Sequence, residues 1–426
     1  MADIVIDRER EEALKLMESG ENVYLTGNAG TGKSALSQHF LKHTKKRVLI
    51  LASTGIAALN VGGQTIHSGL RIMPGARPED MKKDAGPRSR IWKEIDAILT
   101  DELSMVRADL LDCMDRFLRL NGKDEGKPMG GVQLIGVGDI CQLPPVVTEE
   151  EEGRFSKHYP GPYFFDAHCF PSLHMTTVDL KRVFRQKDAK LVRILNRIRV
   201  GKATAGDLRF LNKRHESGFD IGNSSHLYLA TRNRVVDEMN SRKMRELPGT
   251  EVRLRGVVSG KFTRDRFPAE EDLVLKVGAR VMLLNNDPFK RWVNGDIGVV
   301  TDITNGRIGV ELPKRGVVGV EMHRWENIRQ SFNEETKALE RIVVGTYSQF
   351  PIRPAWAITI HKSQGQTFEQ VAIDLAGGTF AHGQAYVALS RATSLTGLVL
   401  TRLLEHDDII FDERVREFME RSRKHS

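Results

Sequence analysis

Short apolar runs rich in β-branched residues recur along the chain, each followed by a longer segment of helical character. The first four are NVYLTG, RVLILAS, AILTDE and VQLIGVGD; HLYLAT, WAITIHKS, QVAIDL and GLVLTR follow in the second half. Strands that alternate with helices pair in parallel and are covered on both faces. The pattern therefore predicts an α/β chain with two parallel-sheet cores. In the first set the runs end in Gly, Ser, Asp or Glu, at the strand ends where open parallel sheets collect ligands.

Residues 249–345 have a different rhythm. VMLLNN, DIGVVTDI, RIGVEL and VVGVEMHRW are short strands punctuated by Asn294-Gly295, Asn305-Gly306 and Lys314-Arg315-Gly316. Such turns make hairpins, not crossover helices. They predict a small antiparallel barrel inserted into the second core. A shorter insertion is expected at 69–89, where Pro, Gly and charges break the periodicity. The expected division is 1–178 for the first core, 179–248 with 346–426 for the second, and 249–345 for the barrel. No repeat or low-complexity tract is visible.

Composition changes this picture little. The 426 residues are 40% hydrophobic and 28% charged, as in a soluble globular protein, and no apolar run is long enough to span a membrane. The acidic start MADIVIDREREEALKLMESG resembles neither a secretory nor a transit segment, which predicts a bacterial or phage-like cytoplasm. Cys113, Cys141 and Cys169 are few and far apart, so reduced thiols are expected instead of a disulfide framework or zinc knuckle. A net charge of +8 allows a polyanionic partner, although runs such as KHTKKR and KRVFR equally describe a solvated surface.

The chemistry is concentrated in motifs. GNAGTGKS has the spacing G-x-x-x-x-G-K-[ST] between a strand and a helix. In such a loop the backbone N–H groups of Gly27, Asn28, Ala29, Gly30, Thr31, Gly32, Lys33 and Ser34 wrap a phosphate, Lys33 reaches the terminal phosphate and Ser34 offers its hydroxyl to Mg2+. Asp101 and Glu102 close the strand run AILTDE, where an acid holds Mg2+ and its neighbour activates the attacking water. GVGDICQLPPV presents Gln142, whose amide suits a γ-phosphate sensor, and the rigid pair Pro144-Pro145; taken singly, a strand exit stopped by prolines reads the same way. Leu103, Val106, Leu110, Met114 and Phe117 keep helical spacing and belong to a core. Tyr163, Phe164 and Phe165 also suit a core better than a stacking platform.

The order of segments carries a resemblance. GNAGTGKS, ASTGIAALNVGGQTIHS, DELSM, GVGDICQLPPV, LKRVFRQKDAKLVRILNRIRVG, AITIHKSQGQTF and YVALSRATS, in that succession, resemble the motifs of superfamily-one DNA helicases of the Pif type, within the RecD-like group. The resemblance spans about residues 23–398. It implies two RecA-like P-loop domains with ATP between them, a wedge in the first, and a barrel similar to the Src-homology-three fold in the second.

It also implies roles for residues. Arg391 resembles an arginine finger, Arg185 a second arginine directed at the phosphates, and Gly365 a backbone position near the γ-phosphate. By similarity, single-stranded DNA meets Thr54, Gly55, Thr65, Ile66, His67 and Ser68 in the first domain, Pro144 and Pro145 in the proline loop, and His361, Lys362, Ser363 and Gln364 in the second. The activity implied is ATP- and Mg2+-dependent 5′-to-3′ travel that opens tailed duplexes, with G-quadruplexes and RNA–DNA hybrids as family substrates in genome maintenance, by an enzyme monomeric when free.

One departure is evident. Similar helicases carry a Gln upstream of the P-loop that reads adenine, whereas this chain has RERE, Arg8 to Glu11, and no Gln before position 38. In the helix predicted after Arg185, Leu191, Ile194, Leu195 and Ile198 mark a core face and Lys190, Arg193 and Arg197 the opposite one; the pattern leaves open whether those cations stabilise the domain or meet DNA. Two rivals also stay open: a RecD-like or conjugative translocase that needs a partner, and a nucleotide-switched binding ATPase.

Overall fold

The computed structural model describes residues 6–86, 89–184, 188–221, 224–304, 306–313 and 315–424. The chain divides into two compact units. The first comprises Met1–Phe184, Asn327–Val344 and Asp412–Ser426, and the second Arg185–Glu326 and Gly345–Phe411.

The first unit is built on six parallel strands, β1 (Val23–Gly27), β2 (Val48–Ala52), β3 (Gln64–Thr65), β4 (Ala97–Asp101), β5 (Gln133–Val137) and β6 (Thr176–Leu180), in the order β3-β2-β4-β5-β1-β6. β1 and β5 are buried along their whole length, as expected of strands covered on both faces. Leu25, Leu36, Phe40, Leu99 and Ile135 share one apolar cluster with Ala13 and Met17 of the helix Arg8–Ser19. This is the parallel-sheet core that the run pattern predicts, and it agrees with the RecA-like domain that the resemblance implies.

Two segments remote in sequence complete this unit. β3 is only two residues long, which leaves backbone groups of β2 beyond its reach. Gln330 meets them: its amide donates to Val48 O (3.0 Å) and accepts from Ile50 N (2.8 Å). The helix Glu413–Lys424 adds Phe418, whose ring stacks on Phe165 at 4.5 Å and packs on Phe164 and Tyr24, while Arg414 pairs with Asp166. Sequence expectation places everything after 345 with the second core; the segment from Asp412 instead clusters with the first, because its apolar face is matched to these aromatic rings. Tyr163 and Phe164 are buried, as core residues. Within the 69–89 insertion the only regular element among the described residues is the 3₁₀ turn Pro78–Asp80, and Asp84 ties the segment down by accepting from Arg71 and from Trp92 Nε1.

The second unit holds a four-stranded parallel sheet in which Ala357–Thr359, Leu227–Ala230, Val371–Asp374 and Leu398–Leu400 lie side by side in that order. Between its first two strands in the sequence the chain makes antiparallel strands. Gly316–Glu321, Arg307–Leu312, Ile297–Thr304, Arg280–Leu283 and Ile352–Pro354 form one sheet in that order. Trp292, Val281, Val300, Ile308 and Val310 fill its core, and Gly295 and Gly316 turn with φ of 95° and 70°. A long hairpin, His323–Asn333 with Ala338–Gln349, leaves this region, and residues 327–344 of it count with the first unit. No helix among the described residues is long and apolar enough to cross a membrane.

Candidate active site

β1 runs directly into the glycine loop. Gly27 has φ 146°, and a Cβ there would stand 2.5 Å from Leu180 O on neighbouring β6, so only glycine fits. Gly30 and Gly32 take φ of 81° and 82°, which curls the loop before the helix Lys33–His43 begins. The helix is capped by Gly32 without a side-chain bond, so its first turn presents backbone N–H groups as a helix N-terminus does to an anion. Lys33 Nζ donates to Gly27 O (2.8 Å) and Asn28 O (3.2 Å). Buried Thr31 donates to Asn28 O, and Ser34 is exposed on the first turn. Asn28 is half-buried and Ala29 buried.

Where an upstream glutamine was expected, Arg10 lies against the loop. It is 1% exposed, donates to Thr31 O at 2.7 Å, pairs with Asp7, and sets its guanidinium 4.7 Å from the Phe184 ring centroid. The loop's C-terminal side is thus fixed by a buried cation, which no P-loop motif announces.

Asp101 ends β4, two strands from β1 in the sheet. Burial raises its carboxyl above the usual range, while the Glu102 N–H and the Lys33 charge pull it back. Glu102 has φ 52° and ψ 45°, a left-handed conformation that costs a non-glycine residue about 1–3 kcal/mol and persists where surrounding structure enforces it. Gln142 is buried, and its amide donates to Asp139 Oδ2 at 3.1 Å, while Asp139 Oδ1 accepts from Cys141 N. Asp139, at most 1% exposed, is the positioning residue that motif reading missed. Its signal was an acid at an apolar strand exit, three residues before the glutamine. Pro144 is half-buried and Pro145 buried.

The loops expected to face nucleic acid are mixed. Thr54 caps the helix Gly55–Val61 by accepting from Ala57 N, and Thr65 caps Ile66–Gly69 while its hydroxyl meets Ser68 Oγ at 3.0 Å. His67 and Ser68 are half-exposed, but the Ile66 side chain is fully buried. In the second unit His361, Lys362 and Gly365 are exposed and Gln364 half-buried. Ser363 is fully buried, with its hydroxyl on Ile360 O at 2.7 Å. Ile66 and Ser363 are each 0% exposed, so neither presents a surface in this structure.

Arg391 departs most from expectation. It is fully buried, with Nε on Val387 O (2.9 Å), Nη1 on Ser363 O (3.1 Å) and Gln366 O (3.0 Å), and Nη2 on Ser390 Oγ (2.7 Å). A projecting finger would leave those carbonyls without it; here the guanidinium clamps the loop 361–366. Arg185 lies outside the described residues. Among the described residues no three His, Cys, Asp or Glu side chains gather as a metal cluster. The three cysteines form no disulfide, and burial pushes the Cys113 thiol up to about 12, which keeps it protonated.

A glycine loop closing onto a helix, with paired carboxylates on a strand end of the same parallel sheet, defines a P-loop nucleoside triphosphatase. Residues 5–202 match the PIF1-like helicase family. The chain is 36% identical over 409 residues to the ATP-dependent DNA helicase Pif1 of Bdellovibrio bacteriovorus, covering 93% of this chain and 88% of that one. Among solved structures it is similar to Pif1 from Bacteroides sp in complex with ADP-AlF4, at 31% identity and TM-score 0.91 over 100% and 98% of the two chains. The Bacteroides Pif1 complex with ADP-AlF3 and ssDNA aligns at 33% identity and TM-score 0.72, over 99% and 98%. The chain therefore belongs to the PIF1-like helicase family. It spans 64% of the Danio rerio relative and 63% of the Homo sapiens one.

Proposed function

We propose that this protein is an ATP-dependent DNA helicase. One observation carries the proposal: the glycine loop, Lys33, Asp101 and the strained Glu102 stand together on one sheet edge, in a chain similar to DNA helicases over nearly its whole length. The backbone of Gly27 to Ser34 binds the triphosphate, and Lys33 leaves its loop carbonyls for the phosphate oxygens. The Ser34 hydroxyl and Asp101 carboxylate suit Mg2+, a hard cation with oxygen ligands, which when bound neutralises charge on the phosphates. Glu102 accepts the proton of the attacking water. Gln142, its amide oriented by Asp139, senses the terminal phosphate.

The DNA strand is held through its phosphates by Thr54, Gly55, Thr65, His67 and Ser68 and the proline loop of Pro144 and Pro145 in the first unit, and by His361, Lys362 and Gln364 in the second. Such contacts ignore base identity, as a motor requires. Arg391 acts in this account as a positioning residue that pins the second unit's loop, with Gly365 at its exposed turn. The family reading adds 5′-to-3′ travel and activity on tailed duplexes and G-quadruplexes. The test is unwinding of 5′-tailed, 3′-tailed and blunt duplexes with ATP and Mg2+. Opening confined to the 5′-tailed substrate is expected; failure on all three, or a preference for the 3′ tail, would contradict the proposal.

A further inference from the structure

The helix Ala189–Arg199 in the second unit turns Leu191, Ile194, Leu195 and Ile198 into the core, at most 4% exposed. Its opposite face borders a cleft of about 500 Å³ shared with the helix Ala205–Asn212. Lys190, Arg193, Arg197, Arg209 and Lys213 line this cleft, and Asp207 is its single acid. That acid is already engaged: Arg197 bonds it through Nε (2.7 Å) and Nη2, and it accepts from Thr204 N and Oγ1. Among the described residues no carboxylate pairs with Lys190, Arg193, Arg209 or Lys213. Lys190 Nζ instead sits 3.6 Å from the centroid of the Phe210 ring.

Like charges gathered in a concave surface whose single acid is already paired repel one another. Of the cations the sequence pattern leaves open, Arg197 is therefore spent on Asp207 and Lys190 packs on Phe210, whereas Arg193, with Arg209 and Lys213 across the cleft, is not consumed by an ion pair among the described residues. A polyanion would offset the repulsion, and an aromatic ring among cations is what a strand-binding groove uses. The seven steps from Lys190 to Arg197 rise about 10 Å, a length on the order of two nucleotides.

We propose that this cleft is a second grip for nucleic acid, holding the sugar–phosphate backbone of a single-stranded segment beyond the strand held by the loops at 54–68, 144–145 and 361–364. The inference rests on the reading that the protein acts on DNA. Its test compares the full chain with a Lys190→Gln, Arg193→Gln, Arg209→Gln, Lys213→Gln variant, binding a short oligonucleotide and a long-tailed duplex across a salt series. The variant should lose roughly tenfold affinity for the long tail, with a log–log salt slope flatter by about 0.7 per phosphate released. Its affinity for the short oligonucleotide and its ATP hydrolysis should stay unchanged. Should the fourfold variant not fold, Arg193→Glu, at an exposed and unpaired position, should show the same selective loss. Equal affinity for the long tail, or an equal loss on both substrates, would overturn the second grip. A wild-type chain that binds neither DNA would instead remove the helicase reading itself.

Discussion

Two loops follow strands of parallel sheets, Gly27–Ser34 after an interior strand of the first unit and His361–Gln366 after an edge strand of the second, and they are shaped by different means. The first is bent by its own backbone, three glycines at positive φ with one crowded against Leu180 O, and the buried Arg10 braces it at a single carbonyl, Thr31 O. The second is bent by a neighbour, since Arg391 spans it from beneath and satisfies two of its carbonyls. A backbone-shaped loop can present N–H groups to a phosphate with little adjustment. A loop held by a buried cation depends on that cation for its shape, so chemistry and stability fall together when it is removed.

The largest effect should separate the two loops outright. Lys33→Ala is expected to reduce ATP hydrolysis to background with an unchanged melting temperature, because Lys33 serves the ligand and only folds back on its loop. Glu102→Gln should retain nucleotide binding while turnover falls by roughly 10²–10⁴, the usual range for a general base; normal turnover in steady-state assays would remove Glu102 from the chemistry. Arg391→Ala strips buried carbonyls of their donor, at about 1–3 kcal/mol each, and should lower the melting temperature by roughly 5–10 °C along with activity. Lost hydrolysis with unchanged melting would restore a finger role and break the comparison.

A smaller shift is expected of a scaffold control just before β4, at the end away from Asp101. Asp96 is pushed up by burial, but the Arg47 side chain and N–H, with Lys123, override this and hold its carboxyl well below the usual carboxylate range. A depressed folded pKa means that its contribution is complete above the unfolded value of about 4 and is lost as pH falls through the folded one. Asp96→Asn should therefore melt lower than wild type at neutral pH, and the gap should narrow below about pH 4. Melting curves across pH check this, with nucleotide affinity unaffected.

Much of the architecture was legible because its signals are local. A strand run, a glycine loop and an apolar helix face each declare themselves within about ten residues, so both parallel sheets, the P-loop and the core role of Tyr163 and Phe164 could be read directly. What escaped depends on pairing across long separations. The hairpin around Gln330 is polar and weakly alternating, and nothing in RWENIRQSFNEETKALERIVV marks it as a supplier of hydrogen bonds to β2. The helix carrying Phe418 has an apolar face, but its partner rings lie some 250 residues upstream, as the Tyr163–Asp412 bond shows with a separation of 249. Arg391, Arg10 and Asp139 share one difficulty: a buried charge that organises a loop and one that reaches a ligand have the same sequence appearance.

The claim on which the account turns is that phosphate chemistry at Lys33, Asp101 and Glu102 answers to a strand held by this chain. Steady-state ATP hydrolysis, measured with and without a single-stranded oligonucleotide, tests it most directly. The account predicts that the strand raises the rate at least about tenfold, a change of about 1.4 kcal/mol in the barrier. A rate indifferent to the strand at saturating concentration would contradict it and would mark the protein as a nucleotide switch.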